Sequence, residues 1–361
     1  MSINQNKDTF YTKLAFQQAE INLGSTNTNP SVGCVVVKNS SVISSGFTSV
    51  GGRPHAEFNA LKKKLNYTNS DLYVSLEPCT HYGKTPPCTN KIIKKKIKKV
   101  IFPINDIDYR TKKKSTKILK KKNIVVKKYL LNKFAKNFYQ SYFLNMSKKI
   151  PFIDAKIAIS KNFYTKNVNK KFITNSNSRN LGNFLRSRYD SLLTTSKTIN
   201  EDNPFLDCRI EGLEIKTPTL FILDRYFRIK KNINLFKIKR RQIYIFTTVS
   251  NRSKENFFKK KGFNIVKFTQ TISEEKDLKT ILLKIKKLGF NRIFFESGIT
   301  LLNKFLKYKL IKNLYLFKSS KNIVSYGCNS SSFFNIKKVK RSSKNQVKVN
   351  LKGDSLHKIK L

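Results

Sequence analysis

No stretch of about 18 apolar residues occurs in this chain, so no transmembrane helix is expected. The first residues lack a basic segment followed by an apolar run, which leaves no secretory signal to read. Cysteine is sparse and odd in number. Cys34, Cys79, Cys88, Cys208 and Cys328 show no disulfide spacing, as fits a reducing compartment. Together these absences predict a cytoplasmic protein without a membrane partner. Tryptophan is missing, and glycine (13) and proline (9) are few, while Lys, Asn, Ile, Phe and Tyr are abundant. The abundant residues have A/T-rich codons and the scarce ones do not.

Acidic residues are the largest deficit. Against 74 Lys and Arg stand 21 Asp and Glu, a formal net charge of +53. Such a surplus first points to nucleic acid. Its distribution argues otherwise, because Lys recurs in nearly every segment, as at 94–96, 112–114, 120–122 and 259–261. Arg, the better reader of phosphates and base edges, is scarce beside it. The charge is read as compositional drift that coats the surface, with no nucleic-acid partner. It still weakens the compact state by self-repulsion and favours anionic ligands.

What is present centres on His55-Ala56-Glu57 and on the run from Glu77-Pro78-Cys79 to Pro86-Pro87-Cys88. Zinc takes imidazole nitrogen and thiolate sulfur, and a catalytic site keeps one of its four positions open. His55, Cys79 and Cys88 are three such ligands, predicting one Zn2+ per chain. Glu57 is placed to move a proton rather than to bind metal. Zinc nucleobase deaminases carry this arrangement as H-x-E followed by P-C-x-x-C. Here eight residues separate the cysteines instead of two. A closed structural site would need a fourth ligand, and His81, inside the insert, is the nearby candidate.

At 361 residues the chain is long enough for two domains with their own cores. Helical spacing runs from Thr9 to Leu23, and Gly24 ends it. β-branched and apolar runs predict strands at Cys34–Lys38, Val42–Phe47, Leu72–Leu76, Val100–Phe102 and Ile124–Val126. Helices are expected to start near His55 and at Pro86-Pro87-Cys88. This alternation predicts a three-layer α/β/α domain over residues 1–148. From 149 to 361, strands are expected at Phe152–Ser160, Ser191–Thr195, Thr219–Asp224, Ile243–Thr247, Arg292–Glu296 and Leu314–Phe317. A helix is expected through Leu181, Leu185 and Arg186. Ser297-Gly298 leads from a strand into a helix, an arrangement that can cradle phosphate. The tail from Lys337 is read as a strand with a ragged end.

Asn29-Pro30 with Val32-Gly33, His55-Ala56-Glu57, and Glu77-Pro78-Cys79-Thr80-His81-Tyr82-Gly83-Lys84-Thr85-Pro86-Pro87-Cys88 resemble the bifunctional riboflavin-biosynthesis deaminase–reductase family. The T-P-P-C end of the insert sets that family apart from cytidine, tRNA-adenosine and guanine deaminases. The resemblance implies a cytidine-deaminase-like domain followed by a dihydrofolate-reductase-like α/β domain. It further implies that Asn29, His81 and Lys84 hold the pyrimidine and its ribose phosphate. Where the family commonly has a His, this chain has Thr48.

In the second half, Thr198-Ile199-Asn200-Glu201-Asp202-Asn203-Pro204-Phe205-Leu206-Asp207-Cys208-Arg209 resembles the family's T-x3-D-x-P-x-L-x-x-R segment. The resemblance implies NADPH as cofactor, bound by Lys156, Ala158, Phe172, Thr174, Thr198, Asp202, Arg225 and Gly298. It implies a reductase substrate site of Lys170, Arg186, Leu206, Arg209 and Glu296, with Arg186 and Arg209 on the phosphate. Two segments depart from the family. S-x-D-G-[RK] is replaced by Ser160-Lys161-Asn162-Phe163-Tyr164, and S-x-W-I-T by Lys170-Lys171-Phe172-Ile173-Thr174.

The expected function is therefore zinc-dependent deamination of a phosphoribosylated diamino-hydroxypyrimidine, then NADPH-dependent reduction of its ribosyl group to ribityl, by a homo-oligomer (dimer or tetramer). The alternatives are a deaminase with a non-catalytic second domain, and a Lys-rich nucleic-acid deaminase.

Overall fold

The structure, a computed structural model, describes residues 3–147, 150–166, 172–239, 241–323 and 346–361. The expectations for Lys170 and Cys328, and for the tail up to residue 345, fall outside those ranges. The chain forms two compact units, Met1–Lys148 and Lys149–Leu361.

The first unit runs α1 (Ile3–Glu20), β1 (Gly33–Lys38), β2 (Ser41–Phe47), α2 (Ala56–Ala60), β3 (Asp71–Val74), α3 (Cys88–Lys94), β4 (Lys99–Phe102), α4 (Lys114–Lys120), β5 (Val125–Lys128), α5 (Asn132–Phe138) and α6 (Gln140–Ser147). Its sheet has the order β2-β1-β3-β4-β5. β1 pairs antiparallel with both neighbours, and β3, β4 and β5 are parallel. Side chains alternate between the faces of a strand. Cys34, Val36, Leu72, Val74, Val100 and Phe102 pack with Ala56, Ala60 and Ile92 of α2 and α3. Val35, Val37, Tyr73 and Ile101 pack with Tyr11 and Ala15 of α1. The result is an α/β/α sandwich.

α1 begins at Ile3, earlier than its apolar spacing indicates. The added turns are polar and leave no periodic trace in the sequence. They are anchored by Asp8, which accepts from Tyr73 at 2.7 Å and pairs with Lys99 and Lys127.

Two glycines set how closely helices approach this sheet. A β-carbon on Gly33 would lie 2.0 Å from the Ala15 carbonyl oxygen of α1. One on Gly46 would lie 2.4 Å from the Ala60 nitrogen of α2. Main chain cannot move aside as a side-chain tip can.

The second unit runs β6 (Phe152–Ile159), α7 (Ser176–Arg186), β7 (Ser191–Thr195), α8 (Ser196–Asp202), β8 (Thr219–Leu223), β9 (Ile243–Thr247), α9 (Arg252–Lys260), β10 (Phe263–Lys267), α10 (Glu274–Lys287), β11 (Arg292–Glu296), α11 (Ile299–Lys307), β12 (Asn313–Lys318) and β13 (Ser355–Lys360). The sheet order is β10-β9-β8-β7-β11-β6-β12-β13. Among the described residues its strands pair parallel, except β12 with β13. Helices cover both faces, so the central strands read as continuous apolar runs such as Ile293-Phe294-Phe295. Leu278, Ile281, Leu282 and Ile285 of α10 and Leu302 and Phe305 of α11 pack on one face. Phe258 of α9 packs on the other with Leu192, Leu220 and Ile245. The Lys-rich stretch that holds α9, β10 and α10 carried no assignment from sequence, yet Phe258, Phe263, Phe268, Leu278, Ile281, Leu282 and Ile285 turn inward, while Ile272 stays exposed.

The altered Ser160–Tyr164 segment still makes a tight turn. Phe163 adopts φ +70 where the family pattern has Gly. Ser160 Oγ donates to Asn162 Oδ1 at 2.7 Å and accepts from the Tyr164 amide at 2.9 Å. The Asn162 side chain exchanges two hydrogen bonds with the main chain of Ile323. A local side-chain network thus holds a conformation that glycine would adopt without strain.

Gly46→Ala should therefore destabilise the first unit by about 1–3 kcal/mol through overpacking against α2. Denaturant unfolding of the variant checks this, and an unchanged midpoint would contradict the close approach.

Candidate active sites

Three segments bring the His/Cys/Cys set together. His55 is the N-cap of α2, with extended backbone and no side-chain hydrogen bond to the helix. Cys79 follows β3 across Ser75–Pro78, just beyond the strand's carboxyl end. Cys88 is the first residue of α3. His55 Nδ1 lies 3.5 Å from Cys79 Sγ and 3.5 Å from Cys88 Sγ. All three ligand atoms lie within 4.8 Å of one another. One nitrogen and two sulfurs at that spacing fit a tetrahedral zinc with a fourth position free. The Cys88 amide donates to Cys79 Sγ at 3.2 Å.

Electrostatics separate the thiols. Hydrogen bonding from Cys88, helped by His55, pulls the Cys79 thiol down to about 4. Hydrogen bonding to Cys79 and burial push Cys88 well above the usual thiol range. His55 is raised, chiefly by its hydrogen bond with Cys79. Glu57 lies in the first turn of α2 and is 4% exposed. Burial, with the Cys79 charge adding to it, pushes its carboxyl up to about 7. A carboxyl near neutrality can both take and return a proton.

Glu77, two residues before Cys79, was read from sequence only as part of a motif. It is buried and accepts four hydrogen bonds: from the amides of Asp106, Lys113 and Ser115 and from Ser115 Oγ. These fix the start of the Cys79 turn against the 106–115 loop. His81 Nδ1 meets Thr111 Oγ1 of the same loop at 3.1 Å. Arg53 was also missed. Its Nη1 donates to Thr85 Oγ1 at 2.8 Å and lies 3.4 Å from His55 Nε2, tying the insert to the His55 turn. Nothing in the sequence marks an isolated Arg for that role. Asn29 donates to the Gly52 carbonyl at 3.0 Å, so its amide nitrogen braces a neighbouring turn. Lys84 is exposed. Thr48, at the family's His position, is buried, and its hydroxyl accepts from the Val32 amide at 2.9 Å.

In the second unit three of the expected residues, Thr198, Arg225 and Gly298, follow the carboxyl ends of β7, β8 and β11, where open α/β sheets bind ligands. Thr195 Oγ1 meets Thr198 Oγ1 at 3.0 Å and Ser297 Oγ at 3.4 Å. Gly298 is the N-cap of α11, and a β-carbon there would meet nothing within 4 Å. Open space over helix-start amides suits a phosphate-bearing cofactor. Asp202 ends α8 and is exposed. Thr174 is buried, and its carbonyl accepts from Arg179 at 2.7 Å. The Arg179 guanidinium stacks 4.3 Å from the centre of the half-exposed Phe172 ring. Ala158 packs beside the cluster of Phe294 and Phe317. Arg225 follows β8 and lies 3.7 Å from Asp277.

Arg186, expected on a phosphate, is held by a carboxylate in this structure. It forks onto Glu296, with Nε to Oε1 at 2.5 Å and Nη2 to Oε2 at 3.0 Å. Its Nη1 donates to Asn183 Oδ1 and to the Asp207 carbonyl, both at 2.9 Å. Glu296 is buried and the Arg186 side chain is 12% exposed, so the pair is largely withdrawn from water. Lys156 Nζ lies 3.9 Å from the same carboxylate, and burial lowers its pKa. Arg209 is the freer of the two arginines. It is half-exposed, with a looser 3.4 Å contact to Asp207.

Comparison with known proteins identifies the two halves. Residues 5–104 match the cytidine and deoxycytidylate deaminase zinc-binding region, and residues 153–323 match the RibD C-terminal domain. The riboflavin biosynthesis protein RibD of Aquifex aeolicus is 31% identical, covering 87% of each chain. The chain belongs to the RibD family. It pairs a deaminase with a reductase and serves riboflavin biosynthesis. The RibD protein of Buchnera aphidicola is 30% identical across 89% of each chain. A solved Thermotoga maritima structure, named as a diaminohydroxyphosphoribosylaminopyrimidine deaminase/5-amino-6-(5-phosphoribosylamino)uracil reductase, superposes with a TM-score of 0.80 at 25% identity over 99% of each chain. RibD of Acinetobacter baumannii gives 0.79 at the same identity and coverage.

Removing one partner of the buried Arg186–Glu296 pair should cost about 3 kcal/mol, because the other charge is left unsatisfied. In a double-mutant cycle of Arg186→Met and Glu296→Gln, unfolding energies should couple by about 1 kcal/mol or more. Additive losses would show that the fork contributes nothing.

Proposed function

We propose that residues 1–148 deaminate 2,5-diamino-6-(5-phosphoribosylamino)pyrimidin-4-one and that residues 149–361 reduce the ribosyl side chain of the product to ribityl. The observation that carries the first step is the nitrogen–sulfur–sulfur set with Glu57 buried beside it. His55, Cys79 and Cys88 would hold one zinc per chain. Zinc acts there as a Lewis acid that makes water a competent nucleophile at neutral pH. Glu57 takes the proton released as water attacks the amine-bearing ring carbon and delivers it to the departing nitrogen, which leaves as ammonia. His81 and Lys84, on the insert that Arg53 and Glu77 hold in place, orient the pyrimidine and its phosphate, with Asn29 beside them.

For the second step, NADPH supplies the hydride. The open N-terminus of α11 at Gly298 and the hydroxyls of Thr195, Thr198 and Ser297 support cofactor binding on this unit. Lys156, Ala158, Phe172, Thr174, Asp202 and Arg225 complete that proposed site. Leu206, Arg209 and Glu296, with Lys170 and Arg186, form the proposed substrate side, and Arg209 is the arginine best placed to meet phosphate. The proposal includes a cytoplasmic homo-oligomer. Among the described residues no helix is long and apolar enough to cross a membrane.

Glu57→Gln should keep its zinc but lose deamination by about a hundredfold or more. The same variant, supplied with the deaminated intermediate, should still consume NADPH at the wild-type rate. Metal analysis, ammonia release and NADPH absorbance read the three quantities. Near wild-type ammonia release would sink the role of Glu57. No NADPH consumption by wild type would sink the reductase step.

A further inference from the structure

Arg241 lies just before β9, outside every motif that marks the reductase half. Its guanidinium is directed entirely at main chain. Nη1 donates to the Phe205 carbonyl at 3.0 Å, Nη2 to the Leu206 carbonyl at 3.0 Å, and Nε to the Pro218 carbonyl at 2.8 Å. The Asp207 and Glu296 carboxylates attract it from a distance, and Glu296 is already forked by Arg186. Burial, with repulsion from Arg186, pulls the Arg241 pKa down to about 9. All three of these hydrogen bonds go to carbonyls, so a largely desolvated guanidinium is used here to hold main-chain geometry.

That geometry is unusual. Leu206 is buried and has φ +56, a left-handed conformation that bulky residues avoid. Such a residue persists only where its surroundings over-determine it. Three consecutive carbonyls are each taken by an arginine: Phe205 and Leu206 by Arg241, Asp207 by Arg186. The Cys208 amide is fixed in turn by Thr217 Oγ1 at 3.1 Å. The chain then surfaces at Arg209, which is half-exposed. A planar fork can reach two adjacent carbonyls and a third from the next segment, and lysine lacks that spread.

We infer that Arg241 is a positioning residue for reduction: it locks the left-handed turn at Leu206 and so aims Leu206 and Arg209 at the phosphorylated substrate. Arg241 touches no substrate itself. The inference rests on the reductase reading above for its kinetic consequence, while its structural consequence is independent of that reading.

The test uses the full-length zinc-loaded protein and its Arg241→Met and Arg241→Lys variants. Hydrogen exchange is followed in peptides spanning 203–211 and in β7 and β8, and reduction is measured with the deaminated intermediate and NADPH. In Arg241→Met, exchange should quicken at 203–211 while β7 and β8 stay protected. KM for the intermediate should rise about tenfold, the equivalent of one good contact misplaced, with kcat within about twofold and KM for NADPH unchanged. Arg241→Lys should recover part of both effects. Unchanged exchange at 203–211 would overturn the inference, as would a fall in kcat at constant KM. Loss of protection in β7 and β8 in both variants would likewise overturn it in favour of a general stabilising role. If wild type consumes no NADPH, the reductase reading fails, and the exchange measurement still decides whether Arg241 holds the turn.

Discussion

A carboxylate withdrawn from water must be met by donors, and each half of this chain is arranged around one that is. In the first unit Glu77 takes three amides and a hydroxyl from the 106–115 segment. In the second, Glu296 takes the fork of Arg186 with Lys156 nearby. Leaving a group of this kind without partners costs several kcal/mol, a large share of a domain's net stability. Each carboxylate therefore fixes the segments that supply its donors. One result is that Cys79, two residues from Glu77, emerges where His55 and Cys88 can meet it.

The two kinds of cation divide their work by environment. Lys covers the outside, where a strongly hydrated ammonium remains in water and its stem can lie along apolar surface. Arg186 and Arg241, which each hold several acceptors in the interior, use the guanidinium, whose planar fork reaches them at once, while Lys156 adds a looser contact to Glu296. Asp8 is an exception that shows the limit: two lysines serve it, but both reach it from the rim, half or partly in solvent. The net charge of +53 is thus mostly a property of the surface.

Legibility in the sequence followed the range of the interaction. The three ligand side chains and Glu57 could be read because they sit in two short motifs of strict spacing. Central strands could be read because burial on both faces leaves unbroken apolar runs. The early start of α1 could not, because its first turns are held by Asp8 contacts from β3, β4 and β5 rather than by periodicity. The partner of Arg186 could not either, since a guanidinium suits a substrate phosphate and a carboxylate 110 residues away equally well. The Ser160–Tyr164 segment departs from the family pattern, and its turn could not be read because it is held by the Asn162 side chain on the main chain of Ile323. Arg53 and Arg241 left no trace, being single residues whose meaning lies wholly in what folds against them.

Gly33 and Gly46 bear on how far such a sequence can change. Every coding substitution at a glycine adds at least a β-carbon. At these two sites that atom would land within 2.0 and 2.4 Å of helix main chain. Lysine can replace arginine across a surface at little cost to the fold, but glycine under a helix has no substitute of any base composition. The chain's small remaining stock of glycine therefore has a steric minimum, set by how tightly α1 and α2 lie on their strands. Compositional pressure can approach that minimum without passing it.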